Sequence, residues 1–425
     1  MNDADVLKAA LRTDLMSFTA KSFDEITPGT SFKHNWHLRA IAWQIQQVLD
    51  GKTKRLLITL PPRSLKSIFA SVALPAFVLG KDPSKRIVCV SYAEDLAAKH
   101  ARDSRSVMES EWYKKVFPKT RLSRNKSAEL DFETTKHGSR LSTSTGGSLT
   151  GRGGSLIVVD DPQKPADAMS NVKRASTLDW FRNTLMSRLD DKSEDAIIVV
   201  MQRLHVDDLA GYLIEVGGWT HLNLPAIAIE DSTIPIGPDR FHHRKIGETL
   251  HVNREPLEVL AKIKAEMGTH HFSAQYQQEP VPVEGNLVQF DWFGTYNEVP
   301  LKESPGRIIQ SWDFAVKDGE QNDYSVCVTA HVKGNEISII DIFRDRLDYP
   351  SQRKAVIRLA GKYETKVILI EDAANGSPLI PDLRNLNQPG IPTPISIKPK
   401  GSKVERLSVQ SSRIEAGDVR LPHSS

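Results

Sequence analysis

The segment Pro61–Ser67 contains residue types that could bind the phosphates of a nucleotide. It reads Pro-Pro-Arg-Ser-Leu-Lys-Ser and lies between a strand-like run, Arg55–Leu60, and a helix-like run, Lys66–Leu79. A helix that begins directly after a strand directs its free backbone N–H groups and its positive dipole end at a bound anion. Lys66 would then reach the β- and γ-phosphates of ATP, and the Ser67 hydroxyl would ligate Mg²⁺.

This loop lacks glycine at two positions where the common phosphate-binding loop has it, here Leu60 and Leu65. Glycine permits the backbone turns that let successive amides close on a phosphate. For the segment taken by itself, an ordinary helix start therefore remains the alternative to a nucleotide site.

Two further strand-like runs end in polar residues. The apolar run 155–160 ends in the paired acids Asp160 and Asp161, and a later run, 196–201, is followed by Gln202 and Arg203. An acid at such a strand end can hold Mg²⁺ through water, and the next carboxylate can orient and deprotonate an attacking water. Gln202 and Arg203 could sense the γ-phosphate. Acids that only cap helices are the alternative, but three such strand ends together predict an ATPase site.

A second set of carboxylates lies near the other end of the chain. Asp313 ends one predicted strand, Glu371 and Asp372 end a later one, and Asp323 is a looser candidate. If the two strands are neighbours, these acids converge and need a cation such as Mg²⁺ or Mn²⁺ to offset their repulsion. Two such metals could activate water against a phosphodiester. Strand-end capping is again the alternative.

The pattern of strands and helices predicts an α/β protein with two sheets. Residues 1–224 comprise an N-terminal segment and, from about residue 55, apolar strands that alternate with helices, which is typical of a mostly parallel sheet of the P-loop NTPase kind. Residues 225–306 are rich in Pro and Gly and predict a linker with a small connecting subdomain. In residues 307–425, three strands, a helix and a fourth strand give the opening order of a ribonuclease-H-like nuclease domain.

Composition excludes several classes of protein. The chain has 425 residues, 39% of them hydrophobic, and a net charge of +3. Its longest apolar runs are a few residues, whereas a membrane span needs about 20, and the N-terminus lacks a signal peptide, so no membrane partner is expected. The two cysteines, Cys89 and Cys327, are expected to be buried free thiols. Between Lys99 and Lys126, nine Lys and Arg face three acids. Such a run is usually a solvated helix face, and a nucleic-acid-binding surface is the functional alternative.

The ordered combination of these motifs resembles the large terminase subunit of tailed bacteriophages, from about Trp36 to the last residue. Such subunits also have irregular phosphate loops with an extra arginine, here Arg63, followed by Ser64. The matching segments are Pro61–Ser67, Ser91–Ala93, Leu149–Gly153, Val158–Pro162, Met201–His205, Asp207–Leu209, Gln275–Pro280, Trp312–Asp313 and Ile370–Gly376, with Lys403 and Arg406.

The resemblance implies a viral genome-packaging motor in the bacterial cytoplasm, transiently at the procapsid portal. Its ATPase, with Walker A and Walker B elements, would move double-stranded DNA, and its endonuclease would cut concatemers. Implied partners are the portal protein, a small terminase subunit and further copies in a ring of about five. The resemblance assigns Gln44 to adenine binding and Gln202 and Arg203 to coupling. It also implies an arginine finger from a neighbouring subunit, with Arg102, Arg105 or Arg152 as candidates.

One departure from the family concerns the nuclease. The family takes a third carboxylate from a helix near its C-terminal end, whereas this sequence stops at Ser425 before such a helix, and Asp418 precedes a strand-like run. We therefore expect a truncated chain with an impaired or inactive nuclease. Three alternatives remain open: a helicase-type ATPase whose C-terminal unit only binds nucleic acid, a nuclease or recombinase whose N-terminal half only docks, and a capsid or portal component without chemistry.

Overall fold

The computed structural model describes residues 3–282, 287–298, 305–314, 324–372, 376–386, 388–399 and 403–423. Its internal contacts divide the chain into two compact units, Met1–Pro282 and Val283–Ser425. The candidate acid Asp323 lies outside the described residues.

The first unit contains ten α-helices and ten strands among its described residues. The helices are α1 Asp3–Thr13, α2 Leu15–Ile26, α3 Trp36–Leu49, α4 Leu74–Lys81, α5 Glu94–Glu109, α6 Glu111–Val116, α7 Asn171–Trp180, α8 Leu209–Val216, α9 Leu257–Met267 and α10 Thr269–Gln275. The strands are β1 Arg55–Thr59, β2 Arg86–Ser91, β3 Leu122–Ser127, β4 Asp131–Thr134, β5 Ser139–Ser144, β6 Leu156–Asp160, β7 Ala196–Met201, β8 Thr220–Asn223, β9 Ser232–Gly237 and β10 Arg240–Arg244.

Eight of these strands form one sheet in the order β3-β4-β5-β2-β6-β7-β1-β8. The pairs from β5 to β8 are parallel, whereas β4 pairs antiparallel with both β3 and β5. On β1, Leu56 and Ile58 pack into the hydrophobic core on one face of the sheet, whereas Leu57 packs into the core on the other. The prediction of a mostly parallel sheet covered on both faces is confirmed.

The helix predicted after β1 begins with an irregular turn. Residues Ile68–Ala73 form a π-helix that continues into α4. In this turn the carbonyl of Ser71 accepts a hydrogen bond of 2.8 Å from the buried guanidinium of Arg140. π-turns inside helices are rare and are frequent at functional sites, and this one lies directly after the candidate phosphate loop.

Residues 225–282 lie within the first unit, so the boundary between the two units falls inside the predicted connecting segment. The hairpin of β9 and β10 carries Ile234 into the core that also contains α3. Farther along, the backbone N–H of Ala226 donates to the carbonyl of Tyr276, and that of Leu250 donates to the carbonyl of Ala226. These two bonds hold the segment together, and Ile234 and Leu250 pack into the core that also contains Leu56 and Ile58 of β1.

The second unit contains a seven-stranded mixed sheet in the order β11-β17-β14-β13-β12-β15-β16. Its elements are β11 Gly294–Tyr296, β12 Arg307–Asp313, β13 Ser325–Lys333, β14 Glu336–Asp345, α11 Tyr349–Tyr363, β15 Val367–Glu371, α12 Gly376–Asn385, β16 Ile395–Ile397, α13 Lys403–Glu415 and β17 Val419–Pro422. Strands β12, β13 and β14 form the predicted antiparallel meander, and β15 pairs in parallel with β12. This arrangement confirms the ribonuclease-H-like prediction.

The interior of the second unit is built around Trp312, which is 1% exposed and stacks on Phe314 at 5.1 Å. Cys327 packs in the same core, and Cys89 packs in that of the first unit, so both cysteines are buried. Among the described residues, no helix has both the length and the apolar character that a membrane span requires.

Candidate functional site

The candidate ATP site lies where β6, β7 and β1 end side by side. Val200 of β7 pairs with Asp160 of β6 on one side and with Ile58 of β1 on the other. Since all three strands are parallel, their carboxyl ends meet at the same edge of the sheet, which is where open α/β sheets bind ligands. The side chains that follow these strands are thereby collected into one place.

The loop after β1 adopts left-handed backbone conformations without glycine. Arg63 has a φ of 58° and Leu65 a φ of 60°. Such a φ costs a non-glycine residue about 1–3 kcal/mol and persists where the surrounding structure enforces it. The turn expected of a glycine therefore forms at Leu65, and the side chain of Leu65 packs against the core.

Lys66 forms an ion pair with Asp161 across this loop, with 3.0 Å between Nζ and Oδ2. The lysine side chain is 6% exposed. The second carboxylate oxygen of Asp161 accepts a hydrogen bond of 3.2 Å from the backbone N–H of Gln202. Asp161 itself has a φ of 45°, so its position is also held by a left-handed turn. The acid, the loop lysine and the end of β7 thus form one connected group.

The carboxylate of Asp160 accepts hydrogen bonds from two hydroxyls on one face of the helical segment that follows β1. Ser67 Oγ donates to Oδ1 at 3.1 Å, and Ser71 Oγ donates to Oδ2 at 2.8 Å. A hydroxyl and a carboxylate oxygen are the hard oxygen ligands that Mg²⁺ prefers, so this pair fits the metal of a bound Mg–ATP. Ser71 was missed in the sequence, although its spacing of four residues from Ser67 places both on the same face of a helix.

The environment of Asp160 opposes its ionisation. Burial, followed by the adjacent charge of Asp161, raises the pKa of Asp160 to about 7. His100 lies nearby, with its Nδ1 3.7 Å from an Asp160 carboxylate oxygen, and burial lowers the pKa of His100 to about 4. A strongly shifted acid at the edge of a sheet is typical of a functional site.

A cavity of about 580 Å³ opens above this group. Besides residues 62–68, Asp161 and Gln202, its walls include Arg254 and Glu255. Arg254 donates a hydrogen bond to the backbone carbonyl of Arg63 and another of 2.8 Å to the carboxylate of Glu255. These two residues come from the segment predicted to be a connector, and no motif in the sequence links them to the phosphate loop.

The side chain of Arg203 forms an ion pair with Asp208. Its Nε donates to both carboxylate oxygens of Asp208, at 2.9 and 3.0 Å, and Asp208 is fully buried. The backbone N–H of Arg203 donates to Gln278 Oε1 at 3.0 Å. The guanidinium of Arg203 is thus directed at Asp208, while Gln202 lines the cavity.

Trp36 and His37 lie at the start of α3, close to the phosphate loop. Trp36 stacks on His242 with ring centroids 4.1 Å apart. Burial and the proximity of His251 lower the pKa of His37 to about 3, so this ring is neutral at physiological pH. Gln44 is half-buried on α3, two turns farther along.

Each of the three arginines suggested for a neighbouring subunit's site binds an acid of its own chain; Arg102 and Arg152 are exposed, and Arg105 is half-buried. Arg105 donates to Glu109 at 2.8 Å. The other two pairs are Arg102 with Glu129 and Arg152 with Asp131.

In the second unit, Asp313 and Glu371 lie at the ends of adjacent strands, since Trp312 pairs with Ile370 in the register of β12 and β15. Each carboxylate faces a cation on α13. Lys403 Nζ lies 3.0 Å from Asp313 Oδ2, and Arg406 lies 3.3 Å from Glu371 Oε2. The hydrogen bond to Asp313 raises the pKa of Lys403.

Asp372 has a partner outside α13, because its Oδ2 accepts a hydrogen bond of 2.7 Å from Ser396 Oγ. Within the described parts of the chain, no three acids, histidines or cysteines are grouped so that they could hold a metal ion. Of the candidate acids that the structure describes here, Asp313 and Glu371 thus face cations of α13, and Asp372 faces Ser396.

Residues 310–425 match the family described as "Terminase RNaseH-like domain". The match covers most of the second unit, Val283–Ser425. The matched region begins inside β12, includes Asp313, Glu371 and Asp372, and extends over α13. The resemblance derived from the sequence is therefore confirmed for this part of the chain.

The solved structures that are similar to the chain include large terminases of bacteriophages. The large terminase of a thermophilic bacteriophage has 9% identity over 95% of this chain and 87% of that chain, with a TM-score of 0.49. The HK97 bacteriophage large terminase has 10% identity over 99% and 90%, with a TM-score of 0.39. The ATPase domain of the Thermus phage P74-26 large terminase has 15% identity over 62% and 99%, with a TM-score of 0.38. No curated protein matches the chain significantly.

The raised pKa of Asp160 predicts how stability changes with pH. Because its folded-state pKa of about 7 exceeds the usual 3.8, folding favours the protonated acid, and this contribution is lost as pH rises through about 7. Asp160→Asn is uncharged at every pH. We therefore expect its free energy of unfolding, relative to wild type, to rise by about 1 kcal/mol or more between about pH 4 and about pH 7.5.

Urea unfolding of the first unit at several pH values measures this difference. Asp24→Asn, which removes an exposed carboxylate on α2, is the matched control and should show little change with pH. A difference between Asp160→Asn and wild type that stays constant over this pH range would contradict the prediction.

Proposed function

We propose that the chain is the large subunit of a phage terminase, an ATPase that drives double-stranded DNA into a procapsid. The observation that carries this proposal is the group formed by Lys66, Asp161 and Gln202 at the mouth of a cavity large enough for a nucleotide. The terminase RNaseH-like domain that follows in the same chain supports DNA packaging as the process that the ATPase serves.

In this mechanism the phosphate tail of ATP enters the loop and competes with Asp161 for Lys66. Lys66 would neutralise charge on the β- and γ-phosphates, with Arg63 and Ser64 closing the loop around them. Mg²⁺ held at Ser67, with Asp160 behind it, would neutralise further phosphate charge. The withdrawal of Lys66 leaves one oxygen of Asp161 free to accept a proton.

Asp161 then acts as the general base. It takes a proton from a water molecule, the water oxygen bonds to the γ-phosphorus, and the bond to the β–γ bridging oxygen breaks to release ADP and phosphate. Gln202 would respond directly to the protonation of Asp161, because its backbone N–H donates a hydrogen bond to that carboxylate. We propose that this contact, with Arg203 next to it, couples hydrolysis to movement of DNA.

Further parts of the proposal concern partners and the second unit. We propose a homo-oligomeric ring, a portal protein and a small terminase subunit as partners in the host cytoplasm. We also propose Gln44 as a residue that contacts the adenine of ATP.

For the second unit we propose a weak Mg²⁺- or Mn²⁺-dependent endonuclease. Its weakness rests on Lys403 and Arg406, which a metal must displace from Asp313 and Glu371.

ATP hydrolysis tests the proposed motor. With Mg²⁺ and double-stranded DNA, wild type should hydrolyse ATP. Asp161→Ala should lower kcat by about 100-fold or more because the base is lost, while still binding ATP. Lys66→Ala should lose ATP binding itself, since the phosphates lose their main cation.

Lys192→Ala, an exposed lysine in the turn before β7, serves as the control and should hydrolyse ATP at the wild-type rate. Wild-type rates in both Lys66→Ala and Asp161→Ala would contradict the assignment of the site. Unwinding of a forked duplex in preference to movement along intact duplex would instead favour the helicase-type alternative.

Cutting of supercoiled plasmid with Mn²⁺ or Mg²⁺ tests the nuclease. Because cations of α13 already neutralise Asp313 and Glu371, wild type should cut slowly, at a rate only about twice that of Asp313→Ala. Plasmid linearisation measured on gels gives both rates. Fast cutting that Asp313→Ala abolishes would contradict an impaired nuclease.

A further inference from the structure

Arg254 places a cation in the wall of the candidate ATP cavity. It does not belong to the segments that directly follow β1, β6 and β7. It lies in the turn before α9, within the segment 225–282, and its side chain is 28% exposed. It reaches the phosphate loop directly, since its guanidinium donates to the backbone carbonyl of Arg63. The same guanidinium binds the carboxylate of Glu255 at 2.8 Å.

The charges around the cavity make Arg254 a candidate to bind phosphate. Residues on its walls supply three cations, Arg63, Lys66 and Arg254, and two carboxylates, Asp161 and Glu255. A guanidinium has five donors in a planar fork that fits two phosphate oxygens at once. The partners of Arg254 are a carbonyl and a neighbouring carboxylate, and a phosphate group could replace both.

The segment that carries Arg254 touches the site at a second point. Gln278 Oε1 accepts a hydrogen bond of 3.0 Å from the backbone N–H of Arg203, and Gln278 has a φ of 58°. Arg203 directly follows Gln202, which is bonded to Asp161. Segment 225–282 therefore contacts both the phosphate loop and the end of β7.

We propose that Arg254 is a triphosphate sensor that acts within its own subunit. Its guanidinium leaves the Arg63 carbonyl and Glu255 to bind the terminal phosphate of ATP, and ADP lacks the phosphate that it reaches. Segment 225–282 thereby responds to whether the site holds a triphosphate or a diphosphate. This inference rests on the proposed ATPase function and assigns the cation to this chain's own cavity, unlike Arg102, Arg105 and Arg152, whose acidic partners are elsewhere.

Equilibrium binding of two nucleotides tests the proposal in the full chain. The probes are Mg²⁺ with adenosine 5′-(β,γ-imido)triphosphate and Mg²⁺ with ADP. Arg254→Ala should weaken binding of the triphosphate about tenfold or more, as expected for a charge-assisted hydrogen bond, and binding of ADP less than about twofold. Glu255→Gln, which removes a competing carboxylate, should shift the preference further toward the triphosphate.

Lys262→Ala, an exposed lysine on α9, is the matched control and should bind both nucleotides like wild type. An equal loss of both affinities in Arg254→Ala would make Arg254 a structural residue, and unchanged affinities would remove it from the site. Either result overturns the proposal that Arg254 is a triphosphate sensor. The ATPase proposal stays intact in that case if Lys66→Ala binds neither nucleotide. Failure of wild type to bind either nucleotide would overturn both proposals.

Discussion

Two neighbouring carboxylates at the buried end of β6 set the main constraint on the first unit. Asp160 and Asp161 repel each other, and the interior offers little water to reduce that repulsion. Asp161 is compensated by the Lys66 ammonium, and Asp160 by the hydroxyls of Ser67 and Ser71. All three of these partners come from the loop and helix after β1, so the acids and the phosphate loop require each other.

The second unit meets the same repulsion with different partners. There Asp313 and Glu371 lie on adjacent strands and are neutralised by two flexible cations, Lys403 and Arg406. Lys403 is 79% exposed, whereas Lys66 is 6% exposed. Water screens the exposed pair of Lys403 and Asp313 more strongly than the nearly buried pair of Lys66 and Asp161, so Lys66 holds the more fixed geometry. This difference is why the central functional proposal rests on the first unit.

Apolar runs and strand ends are local features, so the strands, their parallel pairing and the meander of the second unit could be predicted from the sequence. The effect of the missing glycines was harder to predict, because the left-handed turn at Leu65 is imposed by packing. Arg254 could not be predicted at all. It meets Arg63 across 191 positions of sequence, and only the folding of segment 225–282 against the sheet brings the two together.

A structure of the chain with Mg²⁺ and a non-hydrolysable ATP analogue tests the central claim most directly. The account predicts that the phosphates lie in the loop Pro61–Ser67 and that Lys66 Nζ moves from Asp161 to the β- and γ-phosphates. A nucleotide bound elsewhere, with the ion pair between Lys66 and Asp161 intact, would contradict it.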